Sequence, residues 1–121
     1  MTARRREAWL RGRRAEGLAI LALRIAGYRI LARNLKSPVG EIDIVARRGR
    51  VVAFVEVKTR ANWGTAAEAL AGRQRRRIAR AAGAFLAARP ALASFQSRFD
   101  VILTVPWRWP RHIINAWRID A

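Results

Sequence analysis

Side chains in the middle of the chain have the types needed to hold a divalent metal ion. Asp43 ends the segment Gly40–Asp43, and Glu56 and Lys58 stand together in the next hydrophobic segment. Carboxylates that converge on a small cavity suit Mg²⁺ or Mn²⁺, which are hard cations that take oxygen ligands and keep several waters. The residue types therefore predict a Mg²⁺ or Mn²⁺ site that includes Asp43 and Glu56.

Glu56 interrupts an apolar segment that is typical of a buried strand. The run Val51–Lys58 is rich in β-branched residues, which favour the centre of a sheet. Burying an unpaired carboxylate is costly, so such a residue persists when it is paired or when it binds a metal. The position of Glu56 thus points to a function rather than to surface solubility.

Lys58 is unusual in this chain, because only Lys36 and Lys58 are lysines among 25 basic residues. A position that needed only surface charge would be expected to carry arginine here. A compact ammonium with a tunable pKa beside a carboxylate differs chemically from a guanidinium. The alternative is a solvated Glu-Lys pair at a strand end, and the presence of Asp43 on a neighbouring strand favours the site.

The elements that must position these residues can be predicted from periodicity and turn signals. A helix is predicted over 4–26 and a second from Leu70 to Arg89. The predicted strands are 28–35, 41–47, 51–58, 99–105 and 112–119, with a loop or helix entry over 59–68. The order is α-β-β-β-α-β-β in one domain over 1–121, with 1–11 as a basic arm or helix start.

Side-chain alternation places the candidate residues on shared strand faces. Glu56 and Lys58 fall on one face of their strand, while Glu41 and Asp43 fall on one face of theirs, opposite Ile42 and Ile44. A hairpin between the two strands would bring both acidic pairs to one end of the sheet. The last strand is predicted to lie at the sheet edge.

The composition restricts the class of partner. The formal net charge is +17 and the pI is about 12.0, which indicates a polyanionic partner: nucleic acid first, and an anionic membrane surface second. The absence of cysteine excludes disulfides, Cys-based zinc sites and thiol catalysis, and favours a reducing, cytoplasmic location. The uncharged run 17–23 is too short to span a membrane, so no membrane insertion is expected.

The segments Gly40–Asp43 (GEID) and Phe54–Arg60 (FVEVKTR) resemble the PD-(D/E)XK nuclease superfamily, and most closely its YraN-like family of small, largely uncharacterised bacterial proteins. The similarity covers roughly residues 12 to 117. It includes Ala15-Glu16, Gly27-Tyr28, Trp63-Gly64, Arg73-Gln74 and Arg98–Val101. It implies a restriction-endonuclease-like α/β fold with a mixed central sheet flanked by helices.

The resemblance also implies roles for individual residues. Asp43 and Glu56 would hold one or two ions with help from the Val57 carbonyl, and Lys58 would orient the attacking water or stabilise the transition state. Glu16 either reaches the metal through water or pairs with an arginine. Glu41 either supports the site from outside it or faces solvent.

Other polar residues admit two interpretations. Gln74 could reach the site or a phosphate, or could satisfy buried backbone. Asp100 is predicted to be structural and to pair with an arginine, and His112, the single histidine, to be a strand-edge residue rather than a ligand. Trp63, Trp107 and Trp109 could stack on bases, although packing in the core or at its rim is favoured. The predicted phosphate contacts, besides the N-terminal arginines, are Arg47, Arg48, Arg50, Arg60, Arg73, Arg76, Arg77 and Arg80.

These features predict a metal-dependent nuclease that hydrolyses phosphodiester bonds, in DNA rather than RNA, with structure-dependent or nonspecific binding. A non-catalytic nucleic-acid-binding module on the same fold is the main alternative. A basic structural protein on a ribosome or membrane surface is a third. Nucleases of this fold often pair, so a homodimer is also considered, although the sequence identifies no dimer face.

Overall fold

The computed structural model describes residues 2–61, 63 and 72–117. The helices are α1 (Ala3–Ile25) and α2 (Gly72–Ala87), with a short 3₁₀ helix at Pro90–Leu92. The strands are β1 (Arg29–Ser37), β2 (Gly40–Arg48), β3 (Val51–Thr59), β4 (Gln96–Thr104) and β5 (Arg111–Trp117). Within the described residues, these helices and strands follow one another in the predicted order. The predicted start of the second helix at Leu70, most of the 59–68 segment and the predicted end of the last strand lie outside the described residues.

The described strands form one mixed sheet in the order β1-β2-β3-β4-β5. Neighbouring strands are antiparallel except β3 and β4, which are parallel and are connected through α2. The β2–β3 hairpin predicted from sequence is confirmed, and Gly49 in its turn has φ +59°. The strand β5 lies at the sheet edge, as predicted. Strand β4 begins three residues before its predicted start at Phe99, because polar residues 96–98 pair with 51–53.

The helices α1 and α2 cover opposite faces of the sheet. Ala19, Ile20 and Leu23 of α1 pack over one face. On the other face, α2 contributes four apolar side chains, Ile78, Ala81, Ala82 and Phe85. Strand β3 is therefore buried on both faces, which explains its nearly continuous apolar sequence.

Regular alternation in β2 breaks at Asp43, contrary to the sequence expectation. Ile42 packs in the cluster with α2, whereas Ile44 packs in the cluster with α1. Across from this point, Asn34 of β1 has φ +47°. The β2–β3 pairing runs from Ile44↔Val55 toward the turn, so β2 separates from β3 where Asp43 stands. This separation opens the end of the sheet that carries the carboxylates.

Gly40 permits a close approach between β2 and α2. A Cβ atom at Gly40 would lie 2.5 Å from the backbone carbonyl oxygen of Arg77. Any larger residue would therefore push the helix away from the start of β2. The glycine holds the first turns of α2 against the carboxylate end of the sheet.

Candidate active site

A small cleft lies between the start of α2 and the open end of the β2–β3 hairpin. Its volume is about 170 Å³. The lining residues are Glu41, Asp43, Glu56, Gln74, Arg77 and Ile78. The structure thus brings together three of the acidic residues that the sequence singled out, and adds Arg77 and Gln74 from α2.

Asp43 is held by the backbone of the neighbouring strand. The N–H of Val57 donates a hydrogen bond to Asp43 Oδ2 at 2.8 Å. The carboxylate therefore takes a backbone donor next to the point where β2 separates from β3. This bond turns the carboxylate toward Glu56. The Val57 carbonyl, expected from the resemblance to bind metal, stays a prediction.

Glu56 is the buried acid of the cleft. It is 8% exposed, and its Oε2 atom has no hydrogen-bond partner among the residues that the structure describes. Burial, the negative charge of Asp43, a hydrogen bond with Asp43 and the charge of Glu41 raise the pKa of Glu56 to about 9, against the opposing effect of Lys58. The cleft therefore concentrates more negative charge around Glu56 than its own cations neutralise.

Lys58 and Gln74 are in direct contact at the edge of the cleft. Lys58 Nζ donates to Gln74 Oε1 at 3.1 Å, and both side chains are half-buried. Of the two interpretations of Gln74, the structure supports a position at the site, since its amide oxygen orients the ammonium rather than capping buried backbone. The sequence gives no signal for this partner, because Gln74 and Lys58 lie on different elements that meet only in the folded protein.

The other two acidic candidates differ in position. Glu41 is exposed and lines the cleft. Glu16 lies on α1, does not line the cleft, and its Oε1 is 3.8 Å from Arg33 Nε. The structure therefore supports the arginine pairing that the sequence left open for Glu16.

The predicted phosphate-binding arginines divide between the two ends of the sheet. Arg77 lines the cleft, and Arg76 and Arg80 are exposed on the same helix. Arg60 follows β3, where its guanidinium donates to the Thr59 carbonyl at 2.7 Å. The side chain of Arg73 lies outside the described residues.

Arg47, Arg48 and Arg50 lie at the far end of the hairpin. At about 3.3 Å per residue, Arg50 is roughly 20 Å along the strand from Glu56. Arg47 and Arg50 each lie 4.8 Å from the ring centre of Phe95, and Arg48 lies 4.6 Å from that of Tyr28. The structure does not bring these three to the cleft and gives them packing contacts instead.

Asp100 forms a second polar centre, on the α1 face of the sheet. The predicted pairing with an arginine is confirmed, since Arg98 donates to both carboxylate oxygens at 2.8 Å. His112 Nε2 lies 2.7 Å from Asp100 Oδ2, and the Asn115 N–H donates to Oδ1 at 2.9 Å. His112 lies on the edge strand β5, as predicted, and its contact with Asp100 is a finding of the structure. The hairpin register, which sets His112 beside Ile102, supplies the contact that spacing alone did not reveal.

The cleft residues fit a divalent cation, by the chemistry of their donors. Asp43 and Glu56 are adjacent hard oxygen donors, and Glu56 has a buried oxygen without a partner. Within 2–61, 63 and 72–117 no group of three or more His, Cys, Asp or Glu has the arrangement of a metal cage. A pair of carboxylates suits an ion that keeps several waters, as Mg²⁺ does.

Neither helix of the described chain is long and apolar enough to cross a membrane.

The fold and cleft define a small α/β protein with a five-stranded mixed sheet and a carboxylate-lysine pocket at one end. The model of the uncharacterised protein family UPF0102 matches residues 15–104, a range that contains every cleft residue. The chain belongs to this family, which confirms the YraN-like resemblance.

Relatives match over most of their length. A UPF0102 protein of Paramagnetospirillum magneticum is 61% identical over 114 residues, which cover 91% of this chain and 88% of the relative. One from Parvibaculum lavamentivorans is 57% identical, covering 92% and 84%. One from Methylorubrum extorquens is 51% identical, covering 98% and 93%.

Proposed function

We propose that this protein is a metal-dependent nuclease of restriction-endonuclease-like fold that hydrolyses phosphodiester bonds in nucleic acid, DNA in preference to RNA. One observation carries the proposal. Glu56 is buried beside Asp43 with an unpartnered oxygen, in a chain of net charge +17. A protein that only bound phosphate would gain nothing from converging carboxylates, which repel the ligand unless a cation lies between them.

Asp43 and Glu56 would hold Mg²⁺ or Mn²⁺, with the Val57 carbonyl as a further oxygen donor. When bound, the ion would lower the pKa of a water molecule and offset charge on the scissile phosphate. The hydrogen bond from Val57 N–H fixes the direction of the Asp43 carboxylate before any ligand arrives. This preorganisation reduces the ordering that substrate binding must supply.

Lys58 provides a positive charge at the rim of the cleft. Its ammonium donates one hydrogen bond to Gln74, and its other N–H groups would orient water or contact a phosphoryl oxygen. Arg77 lines the cleft from α2, and Arg76 and Arg80 are exposed on the same helix. These guanidiniums would position the phosphate backbone, and binding would weaken steeply as salt is added.

The test is a cleavage assay on labelled single-stranded, duplex, flap and four-way-junction DNA and on structured RNA, each in Mg²⁺, Mn²⁺ or EDTA. We expect metal-dependent cleavage by the wild type and none by Asp43→Asn. Glu16→Gln is the matched control, because Glu16 is a half-buried carboxylate outside the cleft. Binding without cleavage in any metal, unchanged in Asp43→Asn, would replace this proposal with the non-catalytic binding module.

A further inference from the structure

A second, larger depression lies on the α1 side of the sheet, next to the β4–β5 connection. Its volume is about 750 Å³ and its walls are mainly apolar. We call it the tryptophan groove. Its main lining residues are Arg14, Leu18, Thr59, Trp107, Arg108 and Trp109.

Two tryptophans of this groove are directed into solvent. Trp107 is fully exposed and Trp109 is 54% exposed, so Trp107 does not take the packing role that the sequence favoured. Trp63, in contrast, is half-buried and lies under the guanidinium of Arg111 at 4.1 Å. Exposed indoles on a turn bounded by Pro106 and Pro110 form a stiff apolar surface, which commonly marks a binding site.

The backbone at Trp107 supports a functional reason for its exposure. Its φ is +63°, in the left-handed region that favours glycine. A large side chain there is unfavourable and gains no burial in return. Such outliers persist where a side chain must be presented to a ligand.

The charge of the groove indicates the chemistry of that ligand. Arg14 and Arg108 line it, and its described lining residues include no carboxylate. Flat aromatic faces interleaved with guanidiniums recognise unpaired bases joined by phosphates, and they do so with little sequence preference. Nucleic acid is therefore the polyanion that best complements this surface.

The groove lies close to the carboxylate cleft. Thr59, which lines the groove, directly follows Lys58 in β3, and adjacent strand residues face opposite sides of a sheet. The hydroxyls of Thr59 and Thr104 share a hydrogen bond of 2.8 Å, which joins the C-terminal ends of β3 and β4. A nucleic-acid strand that crosses this end of the sheet would contact first the cleft and then the groove.

We propose that the tryptophan groove binds unpaired nucleotides of the substrate by stacking on Trp107 and Trp109, beside the phosphate held at the cleft. The inference rests on the proposed function for its choice of nucleic acid as ligand. It narrows the substrate class to single strands and flaps, in which unpaired bases lie next to the scissile bond.

Fluorescence anisotropy in EDTA separates binding from cleavage. The probes are a labelled thymidine oligonucleotide and a blunt duplex of equal length. For the doubly substituted Trp107→Ala, Trp109→Ala protein, we expect the single-strand Kd to rise about tenfold or more, since each base-aromatic stack contributes substantially. The duplex Kd should change less than twofold, because a duplex offers stacking only at its ends.

Two controls distinguish stacking from general damage. Trp107→Phe keeps an aromatic face and should retain most single-strand affinity, whereas Ile114→Ala removes an exposed apolar side chain outside the groove and should change neither Kd. Circular dichroism should be unchanged in all variants, because the two tryptophans are exposed. Equal loss of duplex and single-strand affinity, or no loss, overturns the proposal.

Other occupants of the groove give different results. Binding to anionic phosphatidylglycerol vesicles that is lost in the double variant, without an effect on oligonucleotides, would assign the groove to a membrane surface. Conversion from dimer to monomer in the double variant, measured by light scattering, would assign it to a second copy of the chain. Either result overturns the stacking proposal.

The proposed nuclease function can fail separately. If the wild type cleaves no substrate but the double tryptophan variant loses single-strand affinity, the groove proposal is supported and the nuclease proposal is rejected. Cleavage that is lost in Asp43→Asn, with single-strand affinity unchanged in the double tryptophan variant, supports the nuclease and rejects the groove. A wild type that binds no nucleic acid rejects both.

Discussion

Asp100 and Glu56 are both buried carboxyl groups on adjacent strands of one sheet, yet their surroundings are opposite in kind. Asp100 has a bidentate arginine, a histidine and a backbone N–H. Glu56 has two acidic neighbours and an oxygen without a partner. The pKa of Asp100 is lowered, because these hydrogen bonds outweigh the effect of burial, whereas that of Glu56 is raised to about 9.

This contrast separates a structural carboxylate from a functional one. A folded chain can satisfy a buried acid completely with its own donors, as it does at Asp100. At Glu56 the same fold supplies too little positive charge, although it has 25 basic residues to draw on. The missing charge is what a bound cation would contribute.

The largest expected effect tests the satisfied centre. Asp100→Asn should lower the free energy of unfolding by about 3–5 kcal/mol, because it leaves the charge of Arg98 unpaired in a largely buried position. Glu56→Gln should not lower it at pH 7 and should instead raise it, since glutamine resembles the protonated acid but needs no proton uptake on folding. Urea denaturation of both variants measures the difference, and equal losses would remove the distinction between the two centres.

Lys58→Ala should lower the cleavage rate by about 10²–10³-fold, since a preorganised charge at the transition state has that magnitude. Lys36→Ala replaces the other lysine, which is exposed on β1, and should leave the rate within about twofold. Single-turnover cleavage in Mg²⁺ measures both. A rate that falls equally in the two variants would assign to Lys58 only a contribution to overall charge.

Gly40→Ala should lower the free energy of unfolding by about 1–3 kcal/mol, because the new methyl group meets the Arg77 carbonyl. The displaced helix should also lower the cleavage rate, because α2 contributes residues to the cleft. Thermal denaturation measures the change in stability, and a cleavage assay measures the change in rate. Gly83→Ala is the matched control in α2, where a Cβ meets nothing within 4 Å. It should raise stability by up to about 1 kcal/mol, and a loss in Gly83→Ala as large as that in Gly40→Ala would contradict the close-approach argument.

The pH dependence of stability should have opposite signs at the two centres. For Glu56, whose folded pKa is about 9 against an ordinary 4.5, the contribution is fully present below pH 4.5 and is lost as pH rises toward 9. For Asp100, whose folded pKa is lowered, the contribution is present above pH 3.8 and is lost as pH falls below it.

Urea denaturation in EDTA across this range, with Glu56→Gln and Asp100→Asn as references, measures each contribution. The wild type should lose stability relative to Glu56→Gln as pH rises. The difference in the free energy of unfolding between the wild type and Asp100→Asn should shrink as pH falls. A Glu56 contribution that grows with pH would show that the acid is ionised in the folded protein.

Several features of the fold and site could be predicted because they depend on local pattern. Period-two and helical spacing define the strands and helices, and a glutamate within the apolar strand 51–58 is visible without coordinates. The prediction that Asp43, Glu56 and Lys58 lie at one sheet end needed only the hairpin. The expectation that Ile42 and Ile44 share one face of β2 was wrong, because a local break in side-chain alternation has no clear signature in composition.

The sequence by itself determined the order of the described elements, the strong positive charge, the lack of cysteine and the residue types at the cleft. Only the tertiary structure decided which acid is satisfied, which arginines reach the cleft and which tryptophans stay exposed. The physical reason is that these outcomes depend on contacts between distant segments. Tyr28, Arg98 and His112 meet around Asp100, and Lys58 meets Gln74, only after the sheet and helices have packed.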